Sequence, residues 1–360
     1  SSYEQLYKLY EDYFKLGIAC QAMDHWNDPT AEIGNQEKEE LINRMFNSMT
    51  FGNELKPAYN FDASSENLFK VDFAAEEMLE WAKENNMKVR GHVLVWHSQV
   101  DPSIFAIDYQ AYADGKLTKS DTAKLEETNY LSVLNRLNRY IDGLLEYTYK
   151  NGYADVIYAW DVVNEAADEN QYDGLRRSYW YQIIGPDYLY YAFLYAREAE
   201  TLYAKQYASL YGLDADTDDL SSIQPKLFYN DYNEWFGSRS DAIIHFLTEE
   251  PWNENHEKVK SSVINPDGDG TIYGDGLLDG IGMQGHLDDT QNIEQYMIAL
   301  EKYNAAVPEL HITELDIGRT GTDANANYYQ AKFYYEFFSR LIEEVKKGVN
   351  LTSVTLWGLT

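Results

Sequence analysis

The sequence predicts an α/β fold, a (β/α)8 TIM barrel that lacks its final closing helix. Two observations predict it. Short apolar runs alternate with longer amphipathic stretches along the chain, which implies parallel strands joined by helical crossovers. Eight such runs can be counted, and polar residues collect at their downstream ends, where a barrel of this kind carries its functional groups. The 360 residues suffice for one barrel-sized core, and no internal repeat or low-complexity linker divides them. Residues 1–360 therefore read as a single domain.

The first strand is read at Leu16–Gln21, and helical periodicity follows over Glu37–Asn47. Ser48–Asn53 is the second strand and Ala74–Asn86 the next helix. Lys88–His97 is the third strand, with an apolar Val-Leu-Val centre. Helix Thr128–Lys150 leads to strand Val156–Glu165, and helix Asp187–Tyr211 to strand Lys226–Asp231. Helix Ser240–Glu249 precedes strand Gly280–His286, and helix Ile293–Tyr303 precedes strand Glu309–Leu315. The last helix, Asn325–Lys347, ends in Lys346-Lys347-Gly348, with cations in its final turn and a glycine stop. Ser353–Thr360 is the eighth strand. The chain stops there, so the span is expected to be truncated at the C-terminus.

Two stretches read as loop excursions, Asp101–Glu127 and Asn265–Gly280. In the second, Asp267, Asp269 and Thr271 have the spacing that starts a calcium loop, without the downstream bidentate glutamate. A calcium site and a plain turn both stay open.

Net charge is −31, from 29 basic and 60 acidic residues. That field disfavours nucleic acid and anionic membranes. It suits a neutral partner, and equally serves solubility alone. No run approaches a membrane-spanning length, so no transmembrane helix is expected. The single cysteine, Cys20, reads as a small buried apolar residue, and no intramolecular disulfide can form. The chain has 32 Tyr, 8 Trp and 14 Phe, rings that pack helices or stack on the C–H faces of sugars. The N-terminus, without Met or leader, fits a trimmed or a mature secreted chain. A monomer is expected.

Two glutamates carry the chemistry. Glu165 closes Ala159-Trp-Asp-Val-Val-Asn-Glu165, and Glu314 lies in Glu309-Leu-His-Ile-Thr-Glu-Leu-Asp316. Each ends an apolar run, where an ionised carboxylate loses solvation. Two such placements point to one site that needs both. A carboxyl pair flanking one bond is the equipment for cleaving a glycosidic linkage, and a retaining mechanism needs the two about 5–5.5 Å apart. One must attack as the anion, and the other must hold a proton at neutral pH.

Further polar groups stand at other strand ends: Asn53-Glu-Leu-Lys56, Gly91-His-Val-Leu-Val-Trp-His97 and Met283-Gln-Gly-His286. Taken singly they read blandly. Lys56 reads as a surface lysine, His92 and His97 as core histidines, and Trp96 and Trp357 as core aromatics. His92, His97, His286 and His311 lack the close spacing of metal ligands, so no metal and no cofactor are expected.

Taken together, Trp160-Asp-Val-Val-Asn-Glu165, His311-Ile-Thr-Glu-Leu-Asp316, Gly91-His-Val-Leu-Val-Trp-His97 and Gly282-Met-Gln-Gly-His286 closely resemble glycoside hydrolase family 10, the retaining endo-β-1,4-xylanases. The resemblance runs from about Phe14 to the C-terminus. It implies an extracellular endo-1,4-β-xylanase that takes xylan and xylo-oligosaccharides. It also implies Glu165 as acid/base and Glu314 as nucleophile. Asn164 would bind the sugar 2-hydroxyl. His286, held by Asp316, would orient Glu314, and Gln284 would hold the sugar or the acid/base residue. Asn53, Lys56, His92 and Trp96 would line the donor side. Tyr232 would flank the cleavage point and Trp357 would form an aromatic wall, with Asp231 and Asp316 supporting from behind.

The pattern departs at Gly52, where many members carry a glutamate. Glu54 would point to the opposite face of a strand. The Asp101–Glu127 excursion is longer than usual and could rim the cleft. A retaining β-1,4-glucanase or mannanase on the same barrel stays open, as does a non-catalytic polysaccharide-binding barrel.

Overall fold

The computed structural model describes residues 5–105, 130–248 and 277–358, with residues 111, 114–116, 118 and 120. Nine strands are described: β1 Lys15–Cys20, β2 Ser48–Phe51, β3 Lys88–Trp96, β4 Ile157–Asn164, β5 Lys226–Asp231, β6 Gly280–Met283, β7 His286–Asp288, β8 Glu309–Gly318 and β9 Leu351–Leu356. Their order is β6-β5-β4-β3-β2-β1-β9-β8-β7, and β6 also pairs with β8. That extra pairing, Gly280 opposite Glu309 through Met283 opposite Ile312, closes the barrel with every ladder parallel. β7 continues along the outer half of β8, with His286 opposite Asp316. The sixth barrel position is thus built from two short strands, and the closed sheet is the predicted (β/α)8 architecture.

Strands in such a barrel are covered on both faces, so they read as continuous apolar runs. Helices Gln36–Met45, Phe73–Glu84, Tyr130–Lys150, Tyr188–Gln206, Gly237–Thr248, Ile293–Ala306 and Ala326–Lys346 lie between successive strands. Asn35, Asp72 and Asn292 cap three of them by accepting from the amides of Lys38, Ala74 and Gln295.

The barrel interior is polar. Arg90 is fully buried, donates to both oxygens of Asp161 at 3.0 and 2.7 Å, and donates through Nε to Nδ1 of His311 at 3.0 Å. His311 contacts Glu309 through its other nitrogen, and its ring stacks on Phe228 at 4.0 Å. Next to Arg90, Gly91 leaves room for the Trp160 ring, which a β-carbon there would meet at 2.3 Å. His311 is therefore a core histidine in a satisfied network, and Cys20 is buried as read.

Several boundaries differ from the sequence reading. β2, β3, β4 and β9 stop at Phe51, Trp96, Asn164 and Leu356, so Asn53, His97, Glu165 and Trp357 lie beyond the ladders. Glu54 is likewise off the strand, fully buried, and accepts from the amides of Ala22 and Asn53. The run Gly280–His286 is not one strand: it breaks at Gln284-Gly285, where Gly285 has φ +76°. The fourth helix in this series ends at Gln206, and a separate 3₁₀ turn spans Ala208–Tyr211. Not all of the rings pack helices: Tyr328 and Tyr329, early in the last helix, are exposed. The calcium-like spacing at Asp267, Asp269 and Thr271, most of the Asp101–Glu127 excursion, and any closing helix after Gly358 lie outside the described residues.

Candidate active site

The polar strand ends meet on one face of the barrel. Glu165 follows β4 in the left-handed region, with φ +57°. A non-glycine residue held there costs about 1–3 kcal/mol, so its surroundings must fix it. Its amide donates to the Asn230 carbonyl at 2.8 Å, and its own carbonyl accepts from Arg176 Nε at 3.0 Å. The carboxyl is gripped on both oxygens. Trp96 Nε1 donates to Oε1 at 3.1 Å and Gln284 Nε2 to Oε2 at 2.9 Å. Burial, followed by the charges of Asp231 and Glu314, outweighs these donors and raises the Glu165 pKa.

Glu314 lies within β8 and is largely buried. Asn230 Nδ2 donates to its Oε2 at 3.0 Å, and His286 Nε2 stands 3.1 Å from its Oε1. The other His286 nitrogen is 3.0 Å from Asp316. Burial pulls the His286 pKa down, but the two carboxylates prevail and raise it to about 10. The ring is therefore an imidazolium at neutral pH, donating from both nitrogens.

Three amides tie the two carboxyl groups together. Gln284 Nε2 also reaches Asn164 Oδ1 at 3.1 Å, and Asn230 Nδ2 reaches the same oxygen at 3.2 Å. Thr313 Oγ1 donates to Asn230 Oδ1 at 2.6 Å, which fixes the amide's orientation.

Lys56, Asn53 and Trp96 lie to one side. Lys56 is buried, not a surface lysine; its Nζ donates to Asn53 Oδ1 at 3.0 Å and to Gln99 Oε1 at 2.7 Å. The ammonium stands 5.1 Å over the Trp96 ring. Burial lowers the Lys56 pKa, against the pull of Glu314, Glu54 and Glu165. His92 is buried, with Nδ1 2.8 Å from Asp161 and its ring 6.3 Å from both Trp96 and Trp357. Trp357, half-buried, lines a cavity of about 260 Å³ with Asn53, Lys56, Gln21 and Glu32. Beside Gly52, a β-carbon would sit 3.0 Å from Gln21, whose side chain fills that space.

On the opposite side, Arg176 donates to Tyr232 Oη at 3.1 Å, and Arg239 stacks 4.4 Å from the Tyr232 ring. Asp231 is buried beneath, accepting from Arg239, from Tyr229 Oη and from the Tyr232 amide. It supports Tyr232 rather than lining the cleft. His97 belongs to neither carboxyl group; burial pushes its pKa down to about 3.

Every site residue named from the sequence thus falls on this face or directly behind it. Sequence reasoning missed Gln99, Asn230, Arg176, Gln21 and Glu32. Two of these carried a signal: Asn230 lies in Tyr229-Asn-Asp-Tyr-Asn233 at the end of β5, and Gln21 closes the run read as the first strand. The others sit in connections without a periodic pattern.

Comparison with known proteins places this geometry. The sequence matches the family model described as Glycosyl hydrolase family 10 over residues 5–360. It is 35% identical over 366 residues to an endo-1,4-beta-xylanase A of Thermotoga maritima, covering 98% of this chain and 27% of that protein. It is 32% identical over 363 residues to an endo-1,4-beta-xylanase B of Butyrivibrio fibrisolvens, covering 97% of this chain and 46% of that one. The chain thus spans a quarter to a half of the length of these curated relatives. Among solved structures, an intracellular xylanase from Thermoanaerobacterium saccharolyticum superposes with a TM-score of 0.71 at 29% identity, covering 99% of this chain and 90% of that one. A variant of that enzyme has been solved with xylotetraose.

Proposed function

Because the chain belongs to glycosyl hydrolase family 10, we propose that it is an endo-1,4-β-xylanase working with retention of configuration, with Glu314 as nucleophile and Glu165 as acid/base. The observation that carries this reading is the opposed environment of the two carboxyl groups. Burial favours the protonated form of Glu165, while the His286 imidazolium puts a positive charge beside Glu314.

In the first step Glu314 attacks the anomeric carbon, the bond to the leaving oxygen breaks, and that oxygen takes the Glu165 proton. The glycosyl-enzyme ester removes the charge on Glu314. In the second step Glu165 accepts a proton from water as the water oxygen attacks the same carbon and Glu314 departs as the carboxylate. Asn164, fixed by Gln284 and Asn230, would bind the sugar 2-hydroxyl. Asn53, Lys56, His92, Trp96 and Trp357 would form the donor side, and Tyr232 would flank the leaving group. The polymeric substrate supports action outside the cell; finding the protein only in the cell fraction would refute that part.

Product analysis tests the reading. Wild type should release short xylo-oligosaccharides from within xylan and act far more weakly on soluble cellulose or mannan. Glu165→Ala and Glu314→Ala should each lose turnover. Full activity in either variant, or equal turnover on cellulose, contradicts it.

A further inference from the structure

We propose that Glu234 is a positioning residue that locks the Gln284-Gly285-His286 corner, so that one buried carboxylate sets the reach of both side chains touching Glu165 and Glu314. The kinetic consequence rests on the reading above; the geometry does not.

Glu234 lies in the turn after β5 and is fully buried. Its Oε1 accepts two bonds, from the Gly285 amide at 2.9 Å and from Tyr296 Oη at 2.9 Å. Its carbonyl accepts from Tyr303 Oη at 2.9 Å, so two tyrosines of helix Ile293–Ala306 hold it from behind. Oε2 has no donor among the described residues.

Gly285 is the break between β6 and β7. The corner is already pinned by backbone bonds: the Gln284 amide donates to Asp231 at 2.9 Å, the Glu314 amide to the Gln284 carbonyl at 2.9 Å, and the Asp316 amide to the Gly285 carbonyl at 3.2 Å. None of these bonds uses the Gly285 amide, and Glu234 takes it. To one side, Gln284 grips Glu165 and Asn164; to the other, His286 faces Glu314 and Asp316.

A carboxyl group is a costly acceptor here. Burial, with the nearby Asp231 charge adding to it, raises its pKa to about 7. An apolar side chain would fill the space without that cost but would leave the Gly285 amide unpaired. Holding that amide is what the carboxyl does that methionine could not.

The test compares wild type, Glu234→Met (similar bulk, no carboxyl acceptor) and Glu234→Gln (acceptor kept) by two readouts. The first is NMR titration of the His286 ring, which reads the corner whether or not xylan is cleaved. The second is the pH profile of xylo-oligosaccharide hydrolysis. In Glu234→Met, the proton affinity of His286 should fall by about tenfold or more. Turnover should drop by up to about 10²-fold, with KM much less affected. The alkaline limb should move to higher pH, because Glu165 loses the Gln284 donor that favours its ionised form. Glu234→Gln should restore all three. A folded Glu234→Met with wild-type His286 titration overturns the proposal. Should Glu234→Met not fold, amide exchange in wild type decides: a protected Gly285 amide supports the lock, and a rapidly exchanging one refutes it. An inactive wild type with the expected His286 shift would sink the catalytic reading while leaving the lock intact.

Discussion

His286 Nε2 stands 3.1 Å from Oε1 of Glu314. Asp316, at 3.0 Å on the other ring nitrogen, fixes the imidazole in that direction. Two carboxylates around one ring outweigh its burial and hold the proton on it up to about pH 10. A carboxylate faced by such a cation is suited to attack carbon and to leave again unprotonated.

This raised affinity has a consequence for stability. His286 binds its proton more tightly folded, at about 10, than at its ordinary 6.5. The contribution is fully present below pH 6.5 and is lost as pH rises towards about 10. The ring is 34% exposed, so solvent screening keeps the amplitude small. Thermal melts of wild type and His286→Asn should therefore converge across that window. Parallel melting curves would contradict the assignment.

Gln284→Ala removes the donor at 2.9 Å from Glu165 Oε2. The charged form of Glu165 loses support, so its pKa, already raised, rises further. The first step needs the protonated acid, so the alkaline limb of kcat/KM against pH should move to higher pH. An unmoved limb would show that Gln284 does not act on Glu165.

The loss in Glu165→Ala should depend on the leaving group. With xylan the variant should lose about 10²–10⁴-fold in turnover, the usual worth of a positioned proton donor. With an aryl xylobioside whose phenol departs as a stable anion, formation of the intermediate needs little proton donation and should fall far less. Equal losses on both substrates would argue against a proton-donor role.

Asp161 is the buried partner of Arg90, at 2.7 Å, and of His92, at 2.8 Å. Burial alone would raise its pKa, but Arg90 and His92 lower it to about 2. Its contribution is present above the ordinary 3.8 and lost as pH falls through about 2. Asp161→Ala leaves Arg90 charged and unpaired and should cost about 3–5 kcal/mol. Urea unfolding at neutral pH checks this; a change below about 1 kcal/mol would mean the network relaxes around the loss.

The barrel was legible because its strands are buried on both faces, which leaves unbroken apolar runs such as Val93-Leu94-Val95. Glu165 and Glu314 were legible because a carboxylate ending such a run is costly. The split at Gly285 was not, since a single glycine also occurs within ordinary strands. Gln99 was invisible for another reason: it reaches Lys56 across 43 positions from a connection with no periodic pattern. The Arg90–Asp161–His311 network was hidden because ion pairs inside a barrel carry no local signature.

The most direct test of the central claim is covalent trapping with a 2-fluoro-xylobioside bearing an acidic leaving group, followed by peptide mass mapping. The fluorine slows both formation and hydrolysis of the intermediate, and the good leaving group restores its formation, so the 2-fluoro-xylobiosyl ester accumulates. A single xylobiosyl adduct on Glu314 is the predicted result. An adduct on another residue, or turnover by the active enzyme with no adduct, would contradict the assignment of Glu314 as nucleophile.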